Sequence, residues 1–150
     1  MIWKPNVTVA AIIEHDNKFL LVEEYADDET VTVFNQPAGH LEKGESIIDA
    51  VIRETLEETA WHFRPSALVG VYRWPHPTKD LTYLRFAFAG EITKHEPDRQ
   101  LDDGIVATTW KSHDEMLALG PRLRSPQVVQ GIDDYLAGQR VSLDIFKDLT

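Results

Sequence analysis

A mixed α/β fold, built either as an α+β arrangement or as an α/β/α sandwich, is what the sequence predicts, and three observations predict it. Short segments rich in Val, Ile, Thr and Phe lie on both sides of a stretch whose apolar residues repeat at about 3.6. Turn chemistry separates these segments, and no repeat, linker or low-complexity run interrupts them. The length, 150 residues, is that of one domain, so residues 1–150 are expected to form a single unit.

In chain order, residues 7–13, 19–24 and 30–35 read as strands, with Asp16-Asn17 as the turn between the first two. The acidic run 23–29 has no apolar period and reads as a solvated loop. After Pro37 and Gly39 the period changes from two to about 3.6, which predicts a helix from about Ser46 to Thr59. Ser46 with Asp49 is its capping signal. Residues 68–74 and 81–91 follow as a hairpin with a Pro-rich loop, the second strand alternating Tyr83 and Arg85 with Leu84, Phe86 and Phe88. Residues 105–110 form a further strand, and Ser112 with Glu115 caps a short helix. A last helix opens on Ser125-Pro126 and shows Val128, Ile132 and Tyr135 on one side before Gly138.

Fifteen Lys and Arg against 25 Asp and Glu leave a formal charge of −10. That balance argues against long nucleic acids and anionic membranes, and a phosphate ligand would need a cation to accompany it. The absence of cysteine removes disulfides, thiolate metal sites and thiol nucleophiles, and fits a reducing cytosol. The longest apolar stretch, 7–13, is too short to cross a bilayer and runs straight into Glu14, His15 and Asp16. The expectation is a soluble, cytoplasmic protein, monomeric or homodimeric.

With Glu54 at zero on a helical wheel, Glu57 falls at about 300° and Glu58 at about 40°. Three carboxylates share one edge, while Val51, Thr55, Ile48, Thr59, Ile52 and Leu56 fill the opposite arc and pin the helix to a core. The acidic edge is expected to face outward. Like charges at this spacing repel, and a divalent cation would convert the repulsion into affinity. Hard oxygen donors suit Mg²⁺ or Mn²⁺, and no Cys or paired-His spacing suggests zinc. On the wheel alone, a solvent-facing helix with Glu on its wet side is the favoured reading, since Glu is a good helix former and acidic faces are common.

The residues before the helix decide between the two. Gly39, five residues, Glu45, seven residues, Arg53-Glu54, two residues, then Glu57-Glu58 resembles the Nudix box, G-x5-E-x7-R-E-U-x-E-E-x-G-U, in six of seven fixed positions. The departures are Ala60 for the closing Gly and Thr55 at an apolar position. Ala enters the left-handed cap of a helix at about 1 kcal/mol, so the helix end is expected to be reshaped. Thr55 can satisfy its hydroxyl on a carbonyl one turn back. Beyond the box, Trp3-Lys4-Pro5, residues 35–42, Leu84-Arg85-Phe86, residues 123–126 and Gly138-Gln139-Arg140 resemble the bacterial NudJ-type phosphatases.

The resemblance implies a Nudix-type α/β/α sandwich with a mixed sheet, and hydrolysis of a phosphoanhydride in a small-molecule di- or triphosphate. It implies Glu54, Glu57 and Glu58 as Mg²⁺ ligands, with the Gly39 carbonyl as a further oxygen and Mn²⁺ as a substitute ion. Arg53 would hold a carboxylate in place with Glu45 as its partner. The general base stays open among Glu57, Glu54, Asp102 and Asp103. On the substrate side, Arg85 and Lys4 are candidates for a phosphate and Trp74 for a heteroaromatic ring, each with ordinary surface or packing roles as the alternative. A catalytically silent nucleotide-sensing domain is the rival reading, disfavoured because every box carboxylate is present.

Overall fold

A computed structural model describes all residues from Met1 to Thr150. In chain order the elements are β1 (Asn6–Ile12), β2 (Glu14–His15), β3 (Lys18–Tyr25), β4 (Thr32–Asn35), β5 (Ala38–His40), α1 (Ile47–Thr59), β6 (Trp61–Pro75), β7 (Thr82–His95), β8 (Ile105–Lys111), α2 (His113–Ala118) and α3 (Pro126–Leu136). One sheet has the order β5-β1-β7-β6, with β1 parallel to β7 and antiparallel to β5. In the other, β3 is flanked by β4 and β8 and extended by β2. This is the mixed α/β sandwich that the sequence predicts.

Alternation along the strands explains the layering. Val9 and Ala11 of β1 and Phe88 of β7 cluster with Ala50 and Val51 of α1. Ile12 and the neighbouring Ala87 and Ala89 cluster instead with Met116 of α2 and with Val128 and Ile132 of α3. Helices thus cover both faces of the β1–β7 pair, which is why β1 reads as an almost unbroken apolar run. No helix is long and apolar enough to cross a membrane.

Local chemistry sets the boundaries. Asp16 and Asn17 take φ of 50° and 62°, the geometry of a tight hairpin turn. Ser46 accepts from the Asp49 amide and starts α1. Ala60 ends it at φ 63°, ψ 17°, donating its N–H to Leu56 O at 2.9 Å. The expected reshaping of this end is therefore corrected, because Ala60 adopts the left-handed cap that a glycine would take. The Thr55 hydroxyl donates to Val51 O at 2.8 Å, as predicted.

Several boundaries differ from the sequence reading, among them the end of β7, which continues past residue 91 to His95. β6 begins at Trp61, well before residue 68, because the cap reverses the chain directly into the sheet. Polar His62 and Arg64 and a proline disguise this half, which tolerates Pro65 because β6 is an edge strand. β5 is only three residues long and carries too little pattern to be read. β3 runs to Tyr25, so the first part of the acidic run is strand rather than loop.

Candidate active site

The helix α1 is turned from the expected orientation. Its buried residues are Ala50, Val51, Glu54, Thr55, Glu58 and Thr59, an arc centred near 50° rather than near 130° on the wheel. Glu54 and Glu58 therefore face inward, with 9% and 8% exposure, while Glu57 stays half-buried. The outward-facing acidic edge is corrected by this rotation. Apolar patterning missed it because Ile52 and Leu56 are only partly covered.

Arg53 organises the carboxylates. It donates from Nε and Nη2 to the two oxygens of Glu45, at 2.9 and 2.7 Å, and from Nη1 to Glu54 Oε1 and Glu57 Oε1, both at 2.8 Å. Its Nη2 also reaches His40 O at 3.0 Å, fixing the helix to β5. These bonds hold Glu45 below the usual carboxylate range and Arg53 above its own. The pairing of Arg53 with Glu45 and the box carboxylates follows the sequence reading.

Glu54, Glu57 and Asp102 place carboxylate oxygens within 4.8 Å of one another. Asp102 comes from the stretch between β7 and β8, which main-chain bonds tie to the C-terminal part of α1. Asp102 N donates to Glu57 O at 3.0 Å and Glu96 N donates to Ala60 O at 2.8 Å. Burial raises Glu54 to about 7 and, aided by the Glu57 charge, lifts Asp102 above its ordinary range. Glu58 stands apart: its Oε1 accepts the Ala38 amide at 2.9 Å, and burial raises it to about 9. Asp103 does not belong to the cluster.

The donor set fits a hard divalent cation. Glu54 is buried, Glu57 half-buried and Asp102 exposed, and crowded carboxylates of this kind gain from such an ion. Gly39 fits it too, since a Cβ there would lie 2.2 to 2.4 Å from the Glu54 carboxylate atoms. Only a bare backbone allows Glu54 to press against β5.

Beside this cluster opens a cleft of about 630 Å³, lined by Gly39, Glu54 and Glu58 on one side and by Trp74, His76 and Tyr83 on the other. Trp74 and Tyr83 stack at 6.0 Å and 19°. Arg85, between them and the acids, is 4% exposed, so the surface-strand alternative is corrected. Lys4 is exposed ahead of β1 and does not line the cleft. Sequence reasoning missed Asn35, Gln36, Glu24, Arg124 and Gln127. The available signal was Arg85, which shares its register on β7 with buried Ala87 and Ala89. His62 pairs with Glu96 and His113 with Asp133, both away from the acidic cluster.

Comparison with known proteins agrees with this geometry. Residues 4–130 match the model of the NUDIX domain. The chain is 38% identical over 146 residues to the phosphatase NudJ of Escherichia coli, covering 97% of this chain and 93% of that one. A NUDIX hydrolase from Nitrosomonas europaea has 53% identity and a TM-score of 0.94, with 97% of each chain covered. A UDP-X diphosphatase shares the fold at 20% identity and a TM-score of 0.75, with 95% of this chain and 68% of that one covered.

Proposed function

The chain belongs to the NUDIX domain family and is a hydrolase acting on phosphoanhydrides, and on that premise we propose that it is a Mg²⁺-dependent enzyme releasing inorganic phosphate from small organic di- and triphosphates. The class comprises nucleoside tri- and diphosphates, with hydroxymethylpyrimidine diphosphate as a further member. The observation that carries the reading is the Glu54–Glu57–Asp102 cluster, braced by Arg53 at the side of an open cleft. The compartment in this reading is the cytoplasm.

Glu54, Glu57 and Asp102 would hold the ion, with the Gly39 carbonyl and Glu58 as further candidate oxygens; Mn²⁺ suits the same donors. When bound, the ion neutralises phosphate charge and lowers the pKa of the attacking water. Arg53 engages only Oε1 of Glu54 and of Glu57, which leaves the Oε2 atoms to divide two tasks, holding the ion and accepting the water's proton. Glu45 acts at one remove, by fixing both nitrogens with which Arg53 faces it. Trp74 offers an aromatic face to the organic group.

The test is a panel of these compounds incubated with purified protein and Mg²⁺, with phosphate and pyrophosphate release assayed separately. Phosphate release that stops in chelator is the expected result. Turnover of nothing, or full turnover in chelator, would refute the reading.

A further inference from the structure

Arg85 is a buried cation without an ion pair. It is 4% exposed, and no carboxylate lies within 4.0 Å of its guanidinium nitrogens. Glu24 and Glu58 are near enough to favour its charge, yet Glu24 pairs with Arg124 and Glu58 with the Ala38 amide. A desolvated charge left this way is costly unless a ligand completes it.

The guanidinium is nevertheless held firmly. Nη2 donates to Asn35 Oδ1 at 3.0 Å and to Gln36 Oε1. Gln36 is 1% exposed, and its Nε2 donates to Val128 O at 2.9 Å, which obliges Oε1 to face Arg85. Nε and Nη1 bond nothing within the protein. No fully buried side-chain nitrogen or oxygen lacks a partner, so these two donors are open to the cleft that Arg85 lines.

Place along the cleft gives the chemistry. Arg85 neighbours Thr8 across the sheet and has Glu58 on its acidic side. Tyr83 stands two residues before Arg85 on the same face of β7, about 7 Å away, with Trp74 as its register partner. A phosphate at Arg85 would thus sit between the carboxylate cluster and the aromatic pair.

We propose that Arg85, positioned by Asn35 and Gln36, is the specificity-determining anchor for the phosphate on the organic side of the substrate. It binds that phosphate independently of the metal, with the attached heteroaromatic ring against Trp74 and Tyr83. In a diphosphate, cleavage on the acidic side of this phosphate by addition of one water returns the organic monophosphate at Arg85 and frees inorganic phosphate; in a triphosphate the bond cut lies one phosphate further out, so the organic diphosphate stays at Arg85 and inorganic phosphate again leaves. The proposal takes its substrate class from the hydrolase reading, but its test does not depend on turnover.

The four common ribonucleoside 5′-monophosphates and their nucleosides are titrated into the protein in EDTA, following tryptophan fluorescence. At least one monophosphate should saturate, with its nucleoside at least tenfold weaker. Arg85→Lys and Gln36→Met, checked for folding by circular dichroism, should each weaken the monophosphate at least tenfold and leave the nucleoside within twofold. Glu57→Gln should bind it as the wild type does. With Mg²⁺ and the matching diphosphate, Gln36→Met should raise KM at least tenfold and keep kcat within threefold. Equal affinity for monophosphate and nucleoside, no binding without metal, or an unchanged affinity in a folded variant would overturn the anchor. Should Arg85→Lys not fold, Gln36→Met alone decides. Monophosphate binding in EDTA without any turnover in Mg²⁺ would sink the hydrolase reading and leave the anchor standing.

Discussion

Gly39→Ala isolates the close approach of α1 to β5. The added Cβ would stand 2.2 Å from Glu54 Cδ and 2.3 and 2.4 Å from its oxygens, whereas ordinary contacts begin near 3.4 Å. The carboxylate must retreat by about 1.2 Å, the difference between those two distances. Glu54 is the far end of a flexible side chain, and Gly39 does not have a positive φ, so the backbone can accept alanine. The fold should hardly notice, with Tm within about 4 °C, or roughly 1 kcal/mol at this size. Activity should suffer much more, because a 1 Å misplacement of a catalytic group costs about 10²-fold. The assay is kcat/KM for the best diphosphate in the panel over a Mg²⁺ series, beside thermal melts. A folded variant with kcat/KM and metal dependence within threefold of wild type would refute the claim that Glu54 must lie against β5.

Arg53→Lys replaces a fork that serves Glu45, Glu54, Glu57 and the His40 carbonyl with a single nitrogen; kcat should fall about 10- to 100-fold, and steady-state kinetics showing less than a threefold loss would deny it a role in bracing the site. Ala60→Val puts a β-branched residue at φ 63° in a buried position; a cost of about 1 to 3 kcal/mol is expected, read as a Tm lowered by about 2 to 4 °C per kcal/mol, and an unchanged Tm would mean that the cap is not left-handed. In metal-free protein, Glu54 and Glu58 hold protons up to about 7 and about 9, whereas in the unfolded chain they release them near 4.5. The native state then binds more protons over that interval, so stability falls as pH rises from about 5 to 9. Melts in EDTA should show this decline and melts in Mg²⁺ should flatten it; a Tm in EDTA that rises across the interval would contradict the burial of these acids.

The order of strands and helices was legible because β1, β3, β7, α1 and α3 carry strong periodicity or clear caps. The box residues were legible for a different reason: Gly39, Glu45, Arg53, Glu54, Glu57 and Glu58 are fixed by spacing along one segment. What stayed hidden depends on pairing between distant segments. The rotation of α1 is set by the sheet it meets, and two half-buried apolar residues, Ile52 and Leu56, drew the wheel the wrong way. β5 and the first half of β6 exist through their partners rather than their own composition. Arg85 stayed open between a phosphate contact and a surface role because nothing within its strand reveals that Asn35 and Gln36, some 50 positions earlier, complete its shell.

The stretch from Glu96 to Asp102 meets α1 through main-chain atoms at both of its ends. Bonds of that kind are indifferent to side-chain identity. Residues 97, 98, 100 and 101 can therefore vary, or the segment loop out further, while Asp102 keeps its place beside Glu57; Arg99 is the exception, because its charge acts on Asp102. The third acid of the cluster is thus insulated from drift in the segment that delivers it, and that segment is where the chain can tune the outer surface of the site at little cost to the site itself.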